Sequence, residues 1–269
     1  MLRKVWSLSV IHSRNIMSSH RHLGSLENGK IEFQPLTTET LQGALDVMRK
    51  NFFVNESSCV GVDLISEPGA PEEILDICKE VARDGLSIVA IDKSIEKVIG
   101  VFFSKIQVNT PGKTFFEQYR EKCKYDASRA FLDFNINVDG RINLFKYFNV
   151  DCIFEFFCIS VMPEYGHKGV GEMLASNALQ ISKDLKKGKD VRVPVTVHGN
   201  NELTNVNVVP SICSTILTSK YSQRLGDKFG FLELLRISFE EFEFKGKKFR
   251  DRITSKHIDC ILAVKEIES

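Results

Sequence analysis

The run Ile159-Ser160-Val161-Met162-Pro163-Glu164-Tyr165-Gly166-His167-Lys168-Gly169-Val170-Gly171-Glu172-Met173-Leu174 reads as a strand end, a glycine-rich turn and a helix start. The strand is the apolar stretch from Cys152 to Val161, and Pro163 stops it because proline cannot donate to a sheet ladder. The helix places Val170, Leu174, Ala178, Ile181 and Leu185 at three- and four-residue spacing, which predicts one buried stripe. Gly166, Gly169 and Gly171 carry no side chains where the turn becomes helix, so backbone N–H groups can approach a phosphate. The positive end of the helix dipole points the same way. No Gly-Lys-Ser/Thr end follows, so the run is not a P-loop. It lies past mid-chain without an acidic residue closing a second strand at the required distance, which makes it a poor Rossmann fingerprint.

The pattern Val161-x-Pro163-x-Tyr165-x-x-Lys168-Gly169-Val170-Gly171-x-x-Leu174 resembles the acetyl-CoA-binding motif of the GNAT superfamily of N-acetyltransferases. A second block, Thr218 to Phe231, is similar to that family's later helix, which usually ends in a Lys-x-Gly-Phe like Lys228-Phe229-Gly230-Phe231. Within the superfamily the chain looks most like the insect arylalkylamine N-acetyltransferases, whose early helix ends in Phe-Phe followed after two residues by Glu. Phe52-Phe53-Val54-Asn55-Glu56 matches this. The resemblance implies an α/β (mixed α+β) fold with a central mixed sheet flanked by helices, and acetyl-CoA as co-substrate. It implies that Ile159, Ser160 and Val161 hold the pantetheine arm. Gly166, His167, Lys168, Gly169, Val170 and Gly171 would cradle the pyrophosphate. Two positions depart from the pattern: the family has Arg or Gln where Gly166 stands, and glycine where His167 stands. Lys168 and His167 either compensate by charge or leave a weakened site.

Composition sets bounds on everything else. The 269 residues carry a net charge of +1, 43% hydrophobic and 26% charged residues, ordinary globular values. This balance gives no reason to expect nucleic acid or an anionic membrane as partner. Seven cysteines occur without Cys-x-x-Cys pairs, so neither a zinc site nor a disulfide scaffold is expected, and no metal site is assigned. No apolar run reaches the length of a membrane span. Before Glu27 there is no acidic residue, while Arg3, Lys4, Arg14 and Arg21 are basic, a composition like that of a mitochondrial presequence. A plain tail, or an extension ahead of a start at Met17, is the preferred reading. Cytoplasm is the expected compartment, mitochondria the alternative, and a monomer is expected.

Residues 1–28 are therefore read as a tail and 29–269 as one domain. Ile31 to Leu36 predicts a first strand, and Thr37 or Thr38 a cap for a helix whose Leu41, Leu45, Met48 and Phe52 share a face. Pro71, Glu72 and Glu73 suit a helix start that Gly85 ends. Leu86 to Ile91 and Val98 to Val108 predict an antiparallel hairpin, and Phe115 to Phe148 helix. Phe231 to Phe239 and His257 to Ile267 close the domain as strands. Residues 191–209 form an insertion: Val191, Val193, Val195 and Val197 alternate before the turn His198-Gly199-Asn200-Asn201. This reads as an extra hairpin or, with slight preference, a surface excursion.

Acetyl transfer to an amine needs a base, because an alkylamine of pKa about 10.4 is only roughly 0.04% neutral at pH 7. Glu56, at the end of an amphipathic helix, is the candidate base, as the resemblance also implies. The leaving thiolate needs only mild protonation. Many superfamily members use a tyrosine four residues before the Gly of the later helix, but Gly226 stands there. The insect branch implies two helix hydroxyls instead, matched by Thr218 and Ser222, which are also good helix-capping residues. The expected activity is transfer of an acetyl or short acyl group from CoA to a primary amine, in the arylalkylamine class, by direct attack. The alternative is a degenerate CoA-binding or interaction domain without turnover.

Overall fold

The computed structural model describes residues 21–268. Its strands are β1 (Ser25–Leu26), β2 (Ile31–Pro35), β3 (Ile88–Asp92), β4 (Lys97–Val108), β5 (Cys152–Val161), β6 (Ile212–Leu217), β7 (Leu232–Ser238), β8 (Glu243–Phe244), β9 (Lys247–Lys248) and β10 (Asp259–Glu266). The early helices are α1 (Thr38–Val47), α2 (Phe53–Asn55), α3 (Ser57–Gly61) and α4 (Ala70–Ala82). Then follow α5 (Phe115–Lys122), α6 (Asp126–Gly140), α7 (Leu144–Phe148), α8 (Val170–Lys186), α9 (Lys220–Lys228) and α10 (Phe249–Arg252). Eight strands form one sheet in the order β1-β2-β3-β4-β5-β6-β10-β7, and β8 with β9 makes a separate ribbon. Every neighbouring pair in the large sheet is antiparallel except β5 and β6. A parallel pair needs a long crossover, and α8 supplies it.

The sheet is covered on both faces. On one, α8 buries Val170, Leu174, Ala178, Ile181 and Leu185, the stripe read from their spacing, against Ile31, Phe33, Ile88, Phe102 and Phe154. Each of these side chains except that of Ala178 contributes about 1.5–3 kcal/mol. On the other face α1, α4 and α6 pack Leu45, Ile77, Phe131 and Phe134 with Phe103 and Ile153. The Thr37 cap is a full capping box with Thr40. The 115–148 region resolves into three helices rather than one.

Two differences from the sequence expectations stand out. Sheet pairing begins at Ser25, opposite Glu32, ahead of the boundary placed after residue 28; residues 1–20 lie outside the described residues. Residues 191–209 form no strand of the sheet: a single bridge, Val197 to Asn200, marks the turn. The segment is not a loose excursion either. Val191, Val195 and Val197 are buried, and Asp84 ties it down. Asp84 is 0% exposed and accepts from Asn205 Nδ2 at 2.9 Å, from the Thr204 hydroxyl, and from Lys105 Nζ at 2.7 Å. The valines alternate because they plug into the domain beside Gly85, whose carbonyl accepts from Val193 N–H at 2.9 Å.

What positions the site is the fork between β5 and β6. They pair over only Ile153–Ile212, Phe154–Cys213 and Glu155–Ser214, although both strands run on. A bulge in the β4–β5 ladder leaves Phe157 without a β4 partner at the same level. Bulges bend and twist the strand that carries them. The outgoing half of β5 therefore swings away from β6, and its free edge faces a cleft.

Candidate active site

A cavity of about 1050 Å³ fills the cleft, running from the glycine turn to the inner face of α6. The helix face begun by Leu41 and Leu45 does not continue regularly to Phe52. Met48–Phe52 is a wide π turn, a feature often found at functional sites. It turns Asn51 onto β5, where Nδ2 donates to Ser160 Oγ and to the Val161 carbonyl, both at 3.0 Å. The same turn delivers Glu56 to the cavity wall.

Glu56 caps α3 and faces the cavity at once. Its Oε2 accepts from Cys59 N–H at 2.8 Å and Ser58 Oγ at 2.5 Å, and its Oε1 accepts from the Thr218 hydroxyl at 2.6 Å. The Ser57 hydroxyl donates to the Thr218 carbonyl at 2.8 Å, a second tie across the cleft. Two residues 162 apart in the chain, singled out separately from the sequence, are thus one hydrogen-bonded unit. A carboxylate has about four acceptor sites. Three are filled here, leaving one on Oε1 for a proton or a water.

Ser222 also lines the cavity, but its hydroxyl is committed locally. It makes a capping box with Ser219, accepting from Ser219 N–H at 3.1 Å and lying 3.0 Å from the Ser219 carbonyl. Tyr221 is 57% exposed at the rim, its ring 6.3 Å from that of His167 and 5.9 Å from that of His257. His257 gave no signal in the sequence beyond a strand start. Its Nδ1 accepts from Lys220 N–H at 3.1 Å, so the ring's donor faces away from α9. Burial, then the Lys220 and Lys256 charges, hold it below the usual histidine range.

Ile159, Ser160, Val161, Gly166, His167, Gly169, Val170 and Gly171 all line the cavity. Lys168 does not: its ammonium lies 3.5 Å from Glu27 and 5.2 Å from the Tyr165 ring centre. Tyr165 anchors the turn, its hydroxyl donating to Asp92 at 2.7 Å. The left-handed positions are His167 (φ 59°) and Gly169 (φ 82°). Gly166 has φ −60°, which any residue adopts. The departure at 167 therefore falls where a glycine would be unstrained, while the one at 166 is conformationally neutral.

Burial pushes the thiols of Cys59 and Cys158, both beside Glu56, well above the ordinary cysteine range, and the Glu56 charge adds to this. Thiols held protonated are poor nucleophiles. Among the described residues no group of three or more His, Cys, Asp or Glu side chains has a metal-binding arrangement. No described helix is long and apolar enough to cross a membrane.

A mixed sheet forked between two parallel strands, with a glycine turn and helix at the mouth, defines the GNAT fold, and the chain has it. It is similar to arylalkylamine N-acetyltransferase 2 from Aedes aegypti, at 20% identity and a TM-score of 0.71, over 88% of this chain and 99% of that one. It is similar to the Drosophila melanogaster polyamine N-acetyltransferase that forms N-acetylagmatine, at 13% identity and a TM-score of 0.64 over 88% and 99%. The C-terminal condensation domain of Ebony, solved with β-alanyl-dopamine, matches at 17% identity and a TM-score of 0.60 over the same shares. No family model matches the sequence.

Proposed function

We propose that the protein is an N-acyltransferase that moves an acetyl or short acyl group from CoA to a primary amine by direct attack. The carrying observation is the Thr218–Glu56 hydrogen bond of 2.6 Å inside the forked cleft, within reach of the glycine turn. Two features suit acetyl-CoA. The free edge of β5 offers backbone groups that an amide-bearing arm can pair with, as an added strand would. The start of α8 offers unpaired N–H groups and a positive dipole end to a pyrophosphate.

In this reading Glu56 removes the proton from the incoming ammonium, directly or through one water, at the open site on Oε1. Thr218 holds the carboxylate in place. The neutral amine forms the new C–N bond as the C–S bond breaks, and the departing thiolate (pKa about 8.5) needs only a weak acid. Ser222 is that donor if its hydroxyl rotates out of the cap. Cysteine-mediated transfer has no support from thiols held protonated. Phe52, Phe131 and Phe157 form an apolar wall on the acceptor side, which suits arylalkylamines as the first class to assay.

The test is CoA thiol release from acetyl-CoA with an amine panel. Glu56→Gln, which keeps the shape and removes the base, is expected to lower kcat/KM by about 10²- to 10⁴-fold. Full activity in that variant would remove Glu56 from the mechanism. One observation favours a second reading, a CoA-binding or interaction domain without turnover: Lys168 is turned away from the cavity, and His167 occupies a left-handed position. Absence of any acetyl-CoA-dependent rise in the thermal midpoint would favour a site that has lost its ligand.

A further inference from the structure

Glu155 is the one acidic side chain in the apolar strand β5, and it is 8% exposed, at the inner end of the cavity. Strand alternation and the bulge at Phe157 put it on the same face as Ile153 and Cys158, toward α6. Phe131 and Asn135 of α6 line the cavity with it. Gln107 Nε2 donates to Glu155 Oε2 at 2.6 Å, while Oε1 accepts no hydrogen bond among the described residues. Asp139 follows Asn135 by one helical turn, is partly buried, and has neither a hydrogen bond nor an ion pair among the described residues; what it senses is the Glu155 charge. The cation that acts on Glu155 is Lys105, which is 3% exposed with its ammonium 2.7 Å from Asp84.

A buried carboxylate with an open oxygen and a second acid behind it, with no ion-pair partner of its own among the described residues, is an expensive arrangement for stability alone. Burial pushes Glu155 up to about 7, Gln107 and Lys105 only partly opposing this, and burial and then Glu155 push Asp139 well up. A bound cation would relieve both. The distance is also suitable. The Glu56 charge reaches Cys158, and Glu155 lies three residues further along the same strand face, on the order of 10 Å at about 3.3 Å per residue.

We propose that Glu155, backed by Asp139, forms a cation subsite at the inner end of the acceptor cavity, selecting primary amines with a second cationic nitrogen across a short alkyl stem. This rests on the reading of the cavity as an amine site. The reacting nitrogen sits at Glu56, the stem lies along Phe131 and Phe157, and the distal nitrogen donates to Glu155.

The test compares 1,5-diaminopentane with pentylamine on the full chain, first by thermal unfolding without acetyl-CoA and then by turnover. The diamine is expected to raise the midpoint by several degrees and pentylamine to leave it in place. Glu155→Gln, which keeps the shape and removes a desolvated charge, folds at least as well as the parent and loses the shift; Asp139→Asn weakens it. In turnover, the kcat/KM ratio of diamine to monoamine falls roughly tenfold or more in Glu155→Gln. Equal shifts from both amines, or a full diamine shift in Glu155→Gln, would overturn the subsite. A diamine shift that depends on Glu155, with no amine acetylated, would sink the transferase reading and leave the subsite standing. Pentylamine acetylated as well as the diamine would do the reverse.

Discussion

Glu56 does two jobs with one carboxylate. It satisfies the start of α3 through Cys59 N–H, and it meets Thr218 across the cleft. The second was half legible in sequence, because both residues were singled out, although nothing local joins positions so far apart. Ser222 shows the opposite outcome: its hydroxyl sits in the capping box that serine favours at helix starts. The proposed phosphate contact of the glycine turn is open to direct test. Gly166 has φ −60°, and a Cβ there would lie 3.1 Å from the Pro163 carbonyl oxygen, which has to give by a few tenths of an ångström. Gly166→Arg is therefore expected to fold and to tighten acetyl-CoA binding, read by titration calorimetry; unchanged affinity would show that the turn does not meet the phosphates. Gly169, at φ 82°, is different: Gly169→Ala should cost about 1–2 kcal/mol in denaturant unfolding whatever the ligand does.

At the scale of elements, legibility differs from one feature to the next. The strand from Cys152 to Val161, the turn and the α8 stripe all follow from local pattern, since proline, glycine and apolar spacing act within a few residues. The π turn over Met48–Phe52 does not: one extra residue per turn leaves the apolar spacing nearly intact, so the region reads as continuous helix while Asn51 is redirected onto β5. The 191–209 segment alternates like a strand, but its partners, Gly85, Thr38 and Asp84, come from distant parts of the chain. Glu155 left a signal that is clear only in retrospect, a lone acid inside an apolar strand. The Asp84 network makes that segment part of the core. Asp84→Ala leaves buried Lys105 unpaired and frees Thr204 and Asn205, an expected loss of about 3–5 kcal/mol in urea unfolding. A loss under 1 kcal/mol would mean that the segment merely rests on the surface.

Across the whole molecule, α8 closes one face of the sheet, α1, α4 and α6 close the other, and the fork joins the two sides into a single cleft. In the proposed reading, that joint lets the glycine turn and Glu56 address one reaction centre. It also buries Glu155, with a consequence for global stability. Glu155 rises from 4.5 unfolded to about 7 folded, so the folded state holds its proton more tightly. The associated stability is complete below about pH 4.5 and is lost as pH rises through about 7, an effect on the order of 3 kcal/mol. Glu155→Gln should thus gain stability over the parent between pH 5 and pH 8, measured as a growing difference in thermal midpoint; a constant difference would contradict the buried, protonated acid. The central claim, that this cleft joins an acyl group from CoA to an amine with Glu56 as base, is tested most directly by quantifying product amide and free CoA in the same reaction. The account expects the two in equal amounts, both falling together in Glu56→Gln. Free CoA without amide, or neither product with any amine, would contradict it.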